Sequence, residues 1–350
     1  MEREEIDLML DTARRWFRAN GPLEARVAAF KAGQHETPNA WALMAEMGWM
    51  GLSLPESVGG FGAGQSACFA LLREAGRDAR PEPLALHLLV APLLADLMPE
   101  HAEALSAGTL RCAMADTAFG AEAVRWHDGD RLEGRAGVVL GSEHATHLLL
   151  PVGQGDGASL ALVALDAPGI SSEAARLVDA RATSRLRFDR TPARRIEGPG
   201  LAQRAIDLAA AAQIADSAGV LDAAFDLTLD YLKQRVQFGK PLSAQQAVQH
   251  KMAEIFCDLQ QLLALAGRVA AEIDAAREGP WPTLAPAKSF LGRRVLRACG
   301  QLIQVSGGIA VTEEYKLTHF YRRLHVAAAL FGNAETQLAR IDVRSQLLPA

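Results

Sequence analysis

Several things are scarce in this chain of 350 residues, and each scarcity excludes something. There are 4 cysteines, Cys68, Cys112, Cys257 and Cys299, far apart and without a C-x-x-C pair. That excludes a disulfide framework and a thiolate zinc site, and it fits a reducing cytoplasm. An excess of one charge is also missing. Lys and Arg number 36 against 41 Asp and Glu, for a net charge of -5, and the basic residues are scattered, so a nucleic-acid partner is not expected. No uninterrupted apolar run reaches the ~20 residues that cross a bilayer. The acidic start, Met1-Glu2-Arg3-Glu4-Glu5, leads into a helical pattern and does not resemble a secretory signal. The expectation is a soluble, cytoplasmic protein with no membrane partner.

With 49% hydrophobic residues the chain can bury large cores, and its length allows two or three domains. Three segments differ in period. Residues 1–107 read as an all-helical domain, with Ile6, Met9, Leu10 and Ala13 on one stripe. Further helical runs span Trp41 to Met50, Ser66 to Arg77 and Leu84 to Leu97, broken by Pro and Gly. Residues 108–198 read as a small β domain, barrel-like, with strand-like runs at Gly137–Leu140, His147–Val152 and Leu160–Leu165. Residues 199–350 read as a four-helix bundle: helices over Gln203–Arg235, Ala244–Arg277 and Ala285–Val305, and a last one beginning near Asn333.

Two helix junctions carry the most specific residues. The first is Arg235-Val236-Gln237-Phe238-Gly239-Lys240-Pro241-Leu242, with Gln246 inside the next helix. As a helix terminus it explains Gly239 as a cap and Pro241 as a stop, but not Gln237, Phe238 or Gln246. The second runs from Gln304 through Gly307 and Gly308 to Tyr315, followed by Phe320-Tyr321-Arg322-Arg323. In this order and separation the two closely resemble the C-terminal signatures of acyl-CoA dehydrogenases. The stretches Met47–Gly62 and Asp179–Asp189 resemble that family as well, so the resemblance covers nearly the whole chain and implies the same helical, β, helical architecture.

The resemblance implies FAD, held at its outer half across a subunit interface by Arg235, Gln237, Phe238, Gln246, Gln304, Gly307 and Gly308. A guanidinium fork suits a pyrophosphate, and paired glycines allow close backbone approach. The family's reaction removes an α-proton from an acyl-CoA thioester while the β-hydrogen leaves as hydride. It needs a base, usually a glutamate in a Tyr-Glu-Gly-Thr-type segment. Counted from Tyr315 without gaps, the matching stretch is Leu330-Phe331-Gly332-Asn333-Ala334, and Phe331 stands where the glutamate belongs. No catalytic residue is therefore assigned, although general-base catalysis typically contributes ~10²–10⁴-fold. The alternative family position, on the first long bundle helix, reads Leu208–Gln213 and offers alanines. Asp207, Asp216 and Glu335 read as solvated helix-face charges.

The family's Thr-Glu-Pro-x-x-Gly-Ser-Asp loop is matched by Ala115–Glu122, where Gly120 survives but Ala115 and Ala121 replace the hydroxyls. Val138 and Leu140 hold the places of a ring-packing Trp and a Thr or Ser. Residues that a subunit lends to its neighbour's flavin are present, and those for its own flavin ring are gone. The chain thus resembles the base-lacking member of the paired acyl-CoA dehydrogenases of bacterial steroid side-chain degradation. That implies an α2β2 complex with a second dehydrogenase-type subunit, a bulky, sterol-derived acyl-CoA substrate, and an electron-transfer flavoprotein as acceptor. Two other readings compete: a self-sufficient homotetramer with a relocated base such as Glu335 or Asp216, and a flavin-free acyl-CoA-binding scaffold. Gly62–Ala67 matches G-x-G-x-x-A but follows no strand, so a dinucleotide fold is not expected. His144 and His147 lack a third ligand, so no metal is expected. The Ala-rich helix reads as bundle core, because aspartates punctuate it.

Overall fold

An Ala- and Leu-rich stretch without proline favours helix at almost every position, and Leu201–Gln234 forms one unbroken helix. The computed structural model describes residues 3–32, 40–116, 123–142, 145–153 and 155–341. Six helices precede the strands: α1 (Arg3–Ala19), α2 (Leu23–Lys31), α3 (Ala40–Glu46), α4 (Gln65–Arg77), α5 (Leu84–Leu97) and α6 (Ala102–Ser106). Eight strands follow: β1 (Cys112–Asp116), β2 (Arg125–His127), β3 (Arg131–Leu140), β4 (His147–Val152), β5 (Ser159–Ala164), β6 (Ile170–Arg176), β7 (Ala182–Pro192) and β8 (Arg194–Ile196). Then come α7 (Leu201–Gln234), the two-residue strands β9 (Val236–Gln237) and β10 (Lys240–Pro241), α8 (Gln246–Ala275), α9 (Leu284–Phe290), α10 (Leu296–Ser306), α11 (Lys316–Ala329) and α12 (Ala334–Leu338). The helical, β, helical order expected from the periods is the order found.

Backbone contacts divide the chain into two compact units. The first comprises Met1–Asp7, Pro38–Cys68 and Pro81–Ala212. Its strands form one sheet in the order β6-β7-β3-β1-β4-β5-β8, with β2 paired to β3. Every pairing is antiparallel except β1 with β4. Alternation sets the buried face: Leu148, Leu150 and Val152 point into one apolar cluster with Val139, Leu186 and Phe188. Helix α5 is apolar all round and correspondingly buried along most of its length. It carries His87, whose Nε2 lies 3.2 Å from the Met50 carbonyl and whose ring meets Trp41 edge-on at 5.1 Å. Burial pushes the His87 imidazole down to about 4, so it is neutral near pH 7.

The second unit comprises Leu8–Thr37, Phe69–Arg80 and Gln213–Ala350. Helices α4 and α7 touch backbone to backbone. A Cβ on Gly76 would collide with the Asp216 carbonyl, and one on Gly219 with the Arg73 carbonyl, so only glycine fits at either point. Arg73 and Arg77 both reach Asp222 across this contact, each at 2.5 Å. In α8 the residues Ile255, Leu259, Leu262, Ala266, Val269 and Ile273 recur at spacings of three and four and are buried. Helices α9 and α10 join through a π-helical turn at Leu291–Val295 into one rod. This rod packs on α8, and α10 packs on α11.

Two expectations need correction. A helix does begin near Asn333, but it is a short one and not the fourth long member of the bundle. Helix α11 starts at Lys316, burying Leu317, Phe320, Leu324 and Ala327, while Asn333 caps only the short α12, its side chain accepting from the Thr336 amide at 2.9 Å. Asp216 is not solvated. It is 4% exposed and receives both arms of Arg323 at 2.8 and 2.9 Å. Helix α7 is long and apolar enough by length and composition to cross a membrane, but nearly all of its apolar window is buried within the protein, as a core helix requires.

Candidate functional site

The α7–α8 and α10–α11 junctions come to the same end of the bundle, where the Tyr231 ring near the end of α7 meets the Tyr315 ring just before α11. The first junction is a hairpin. Lys240 pairs with Gln237 and Pro241 with Val236, leaving Phe238 and Gly239 as a two-residue turn with φ of 53° and 77°. Both turn residues at positive φ match the type I′ geometry that two-residue hairpins favour. The Phe238 ring has no place in the core and is 91% exposed. Arg235 is exposed, and among the described residues its guanidinium meets no carboxylate or carbonyl, although its amide donates to the Tyr231 carbonyl at 2.9 Å. Gln237 is exposed and donates only to the neighbouring Val236 carbonyl at 2.8 Å. Gln246, the first residue of α8, is also exposed.

At the second junction Gln304, Gly307 and Gly308 are all exposed. Gly307 ends α10 with φ of 75°, a conformation that favours glycine. Gly308 does not share that need. Its φ is outside the left-handed region, and a Cβ there would meet no atom within 4 Å. Nothing among the described residues explains why Gly308 lacks a side chain, whereas an external group lying close to the backbone would. The loop that follows is braced by Glu313, which accepts from Arg322 Nη1 at 3.1 Å, and by the Glu313 carbonyl, 3.0 Å from His319 Nε2. Around these polar groups stand the exposed apolar residues Val236, Ile309 and Val311. All seven residues assigned from the resemblance therefore lie on these two junctions, and all face outward.

The far end of α11 is the opposite kind of place. Phe331 follows the helix with φ of 56° and is 2% exposed. Fully buried Lys288, on α9, donates to the carbonyls of Ala327 at 2.8 Å, Ala328 at 3.0 Å and Gly332 at 2.9 Å, closing the helix end. Gln337 Nε2 donates to the Phe331 carbonyl at 3.3 Å. Phe331 is visible in the sequence, whereas the role of Lys288 is not; its only local signal is a lone Lys within the largely apolar stretch Leu284–Phe290. Neither proposed replacement for the base is free. Asp216 is held by Arg323, and Glu335, exposed, lies 3.3 Å from Arg293. Asp207 accepts from Gln203 at 2.9 Å.

In the sheet, Ala115 is 1% exposed and belongs to the apolar cluster, facing Val139 across β1 and β3. Val138 pairs with Asp116 and Leu140 with Met114. Gly120, Ala121, Glu122 and His144 lie outside the described residues. Among the described residues no group of three His, Cys, Asp or Glu could hold a metal ion.

Comparison with known proteins gives one consistent result. Residues 3–100 match the family model "Acyl-CoA dehydrogenase, N-terminal domain", and residues 197–345 match "Acyl-CoA dehydrogenase, C-terminal domain". The chain is 28% identical over 346 residues to acyl-CoA dehydrogenase IpdE2 of Mycolicibacterium smegmatis, covering 97% of this chain and 98% of that protein. It is 29% identical to acyl-CoA dehydrogenase FadE34 of Mycobacterium tuberculosis, covering 98% of this chain and 48% of that protein. Among solved structures it superposes on a chain of a variant of the Tcur3481-Tcur3483 steroid ACAD with a TM-score of 0.87, at 28% identity and over 96% of each chain. It also superposes on a chain of the ChsE4-ChsE5 complex from Mycobacterium tuberculosis with a TM-score of 0.88, over 100% of this chain and 99% of that one; at 23% identity that likeness speaks to the fold.

Proposed function

The chain belongs to the acyl-CoA dehydrogenase family, and from that premise we propose that it is the non-catalytic, FAD-sharing subunit of a heteromeric acyl-CoA dehydrogenase. The observation that carries this reading is the state of position 331. Where the family's glutamate is expected by counting from Tyr315 there is a phenylalanine, 2% exposed, so that position offers neither a base nor an opening. The clamp residues meanwhile remain turned outward. Members of the family bind FAD, which when bound supplies the electron sink of the reaction. Arg235 has the fork for a pyrophosphate, Gln237, Gln246 and Gln304 offer hydrogen bonds, Phe238 an apolar wall, and Gly307 and Gly308 room for close approach.

In this reading the partner is a second dehydrogenase-type subunit with an intact ring pocket and its own base, and the assembly is α2β2. The substrate is a bulky, sterol-derived acyl-CoA, in keeping with the steroid ACAD likeness, and the acceptor is an electron-transfer flavoprotein. A protein of this composition and fold is assigned to the cytoplasm. The self-sufficient reading loses support because Asp216 is committed to Arg323. The scaffold reading gives no reason for an unpartnered Arg235.

The test is to produce the chain alone and together with the dehydrogenase-type chain encoded beside it, then measure bound flavin per chain and electron transfer from acyl-CoA. Flavin and activity are expected only in the complex, at one flavin per two chains. A yellow, active homo-oligomer overturns the proposal. Bound acyl-CoA without flavin in either preparation favours the scaffold.

A further inference from the structure

We propose that Tyr231 and Tyr315 are positioning residues that hold the two clamp loops in register, an inference that rests on the clamp reading above. The seven clamp residues are split between two separate junctions, and a ligand that spans both is gripped only if the loops keep a fixed spacing. Each loop is braced locally. The hairpin is closed by its own strand pairing and by Leu242, whose amide donates to the Arg235 carbonyl at 2.8 Å. The second loop is braced by Glu313 with Arg322 and His319. Neither brace ties one loop to the other.

The tyrosines do. Tyr231 sits on α7 one turn before Arg235, and Tyr315 is the residue immediately before α11. Their rings meet at 6.0 Å between centroids in an edge-on arrangement. The Tyr315 hydroxyl donates to the Leu227 carbonyl, 3.4 Å away on α7. Burial, Tyr231 and Asp230 push this hydroxyl up to about 12, so it remains a donor throughout the neutral range. The link therefore joins the helix that launches Arg235 to the loop that carries Gly307 and Gly308. Fixing two half-sites before the ligand arrives removes the ordering cost from binding.

The test uses the complex with the partner chain, stripped of flavin and titrated with FAD. Amide hydrogen exchange over residues 235–241 and 307–313 is followed in parallel. Tyr315→Ala is expected to raise the FAD dissociation constant about tenfold and to speed exchange in both loops, whereas Tyr315→Phe, which keeps the ring contact, should change it less than about threefold. Lower thermal stability in Tyr315→Ala with wild-type FAD affinity and loop exchange, while Arg235→Ala still weakens binding, overturns the inference and leaves the clamp intact. No effect of either Arg235→Ala or Tyr315→Ala on FAD affinity overturns the clamp reading, and this inference with it. Should Tyr315→Ala fail to fold, Tyr315→Leu and Tyr231→Leu keep the bulk and put the same question.

Discussion

Phe238 and Phe331 are the same side chain in the same uncommon backbone region, at φ of 53° and 56°, yet one is 91% exposed and the other 2%. A non-glycine residue held there costs about 1–3 kcal/mol, so each position needs something to offset it. At Phe331 the offset is internal. The ring is buried, which contributes about 1.5–3 kcal/mol, and Lys288 and Gln337 hold the carbonyls around it. At Phe238 the chain supplies only the hairpin pairing and leaves the ring in solvent. The contrast teaches where the chain's own folding requirements end. The corner around Phe331 is part of the core. The clamp end carries groups that this chain, by itself, does not need.

The contrast can be broken or sharpened by substitution. Phe331→Glu puts a carboxylate into a closed apolar corner and is expected to lower unfolding free energy by about 3–5 kcal/mol in denaturant titrations. It should also leave acyl-CoA dehydrogenation by the isolated chain at background; a stable, active variant would show that the corner is a site after all. Lys288→Met strips three carbonyls of their donor and should cost about 2–3 kcal/mol by the same measurement. At the exposed end the effects should move from stability to binding. Arg235→Ala is expected to leave the chain's stability within about 0.5 kcal/mol but to weaken FAD in the complex about tenfold. Gly308→Ala is the finest probe. With no strain and no neighbour to meet, it should stabilise the chain alone by up to about 1 kcal/mol. In the complex it should nevertheless raise the FAD dissociation constant several-fold; unchanged affinity would mean that no ligand approaches this backbone.

The long helices were legible because sustained periodicity is the strongest signal a sequence carries. The run expected over Gln203–Arg235 is Leu201–Gln234, and that over Ala244–Arg277 is Gln246–Ala275. Helix α11 is hard to see in the sequence because Phe320 to Arg323 reads as a motif, although Leu317, Phe320 and Leu324 carry the same period. Asp216 is illegible for a different reason. Its partner Arg323 is 107 residues away, and no local pattern tells a paired, buried aspartate from a solvated one. Phe331 is reached by an ungapped count from Tyr315, but its burial and the Lys288 lock depend on tertiary packing. The outward stance of the clamp residues was likewise beyond local rules, since exposure is decided by what the rest of the fold does not cover.

The π turn at Leu291–Val295 acts as a phase setter for the rod it interrupts. Each residue of a helix advances the azimuth by about 100°, so the wider turn fixes the direction in which everything downstream points. Deleting a single residue from the α-helical stretch that follows, where no wide turn can absorb the change, would swing Gln304 and the glycine pair through about 100°. The damage would register at the α10–α11 junction and not where the residue was lost. The spacing between the π turn and Gln304 is thus counted to the residue, which makes α10 a poor place to tolerate insertions even where its surface is polar.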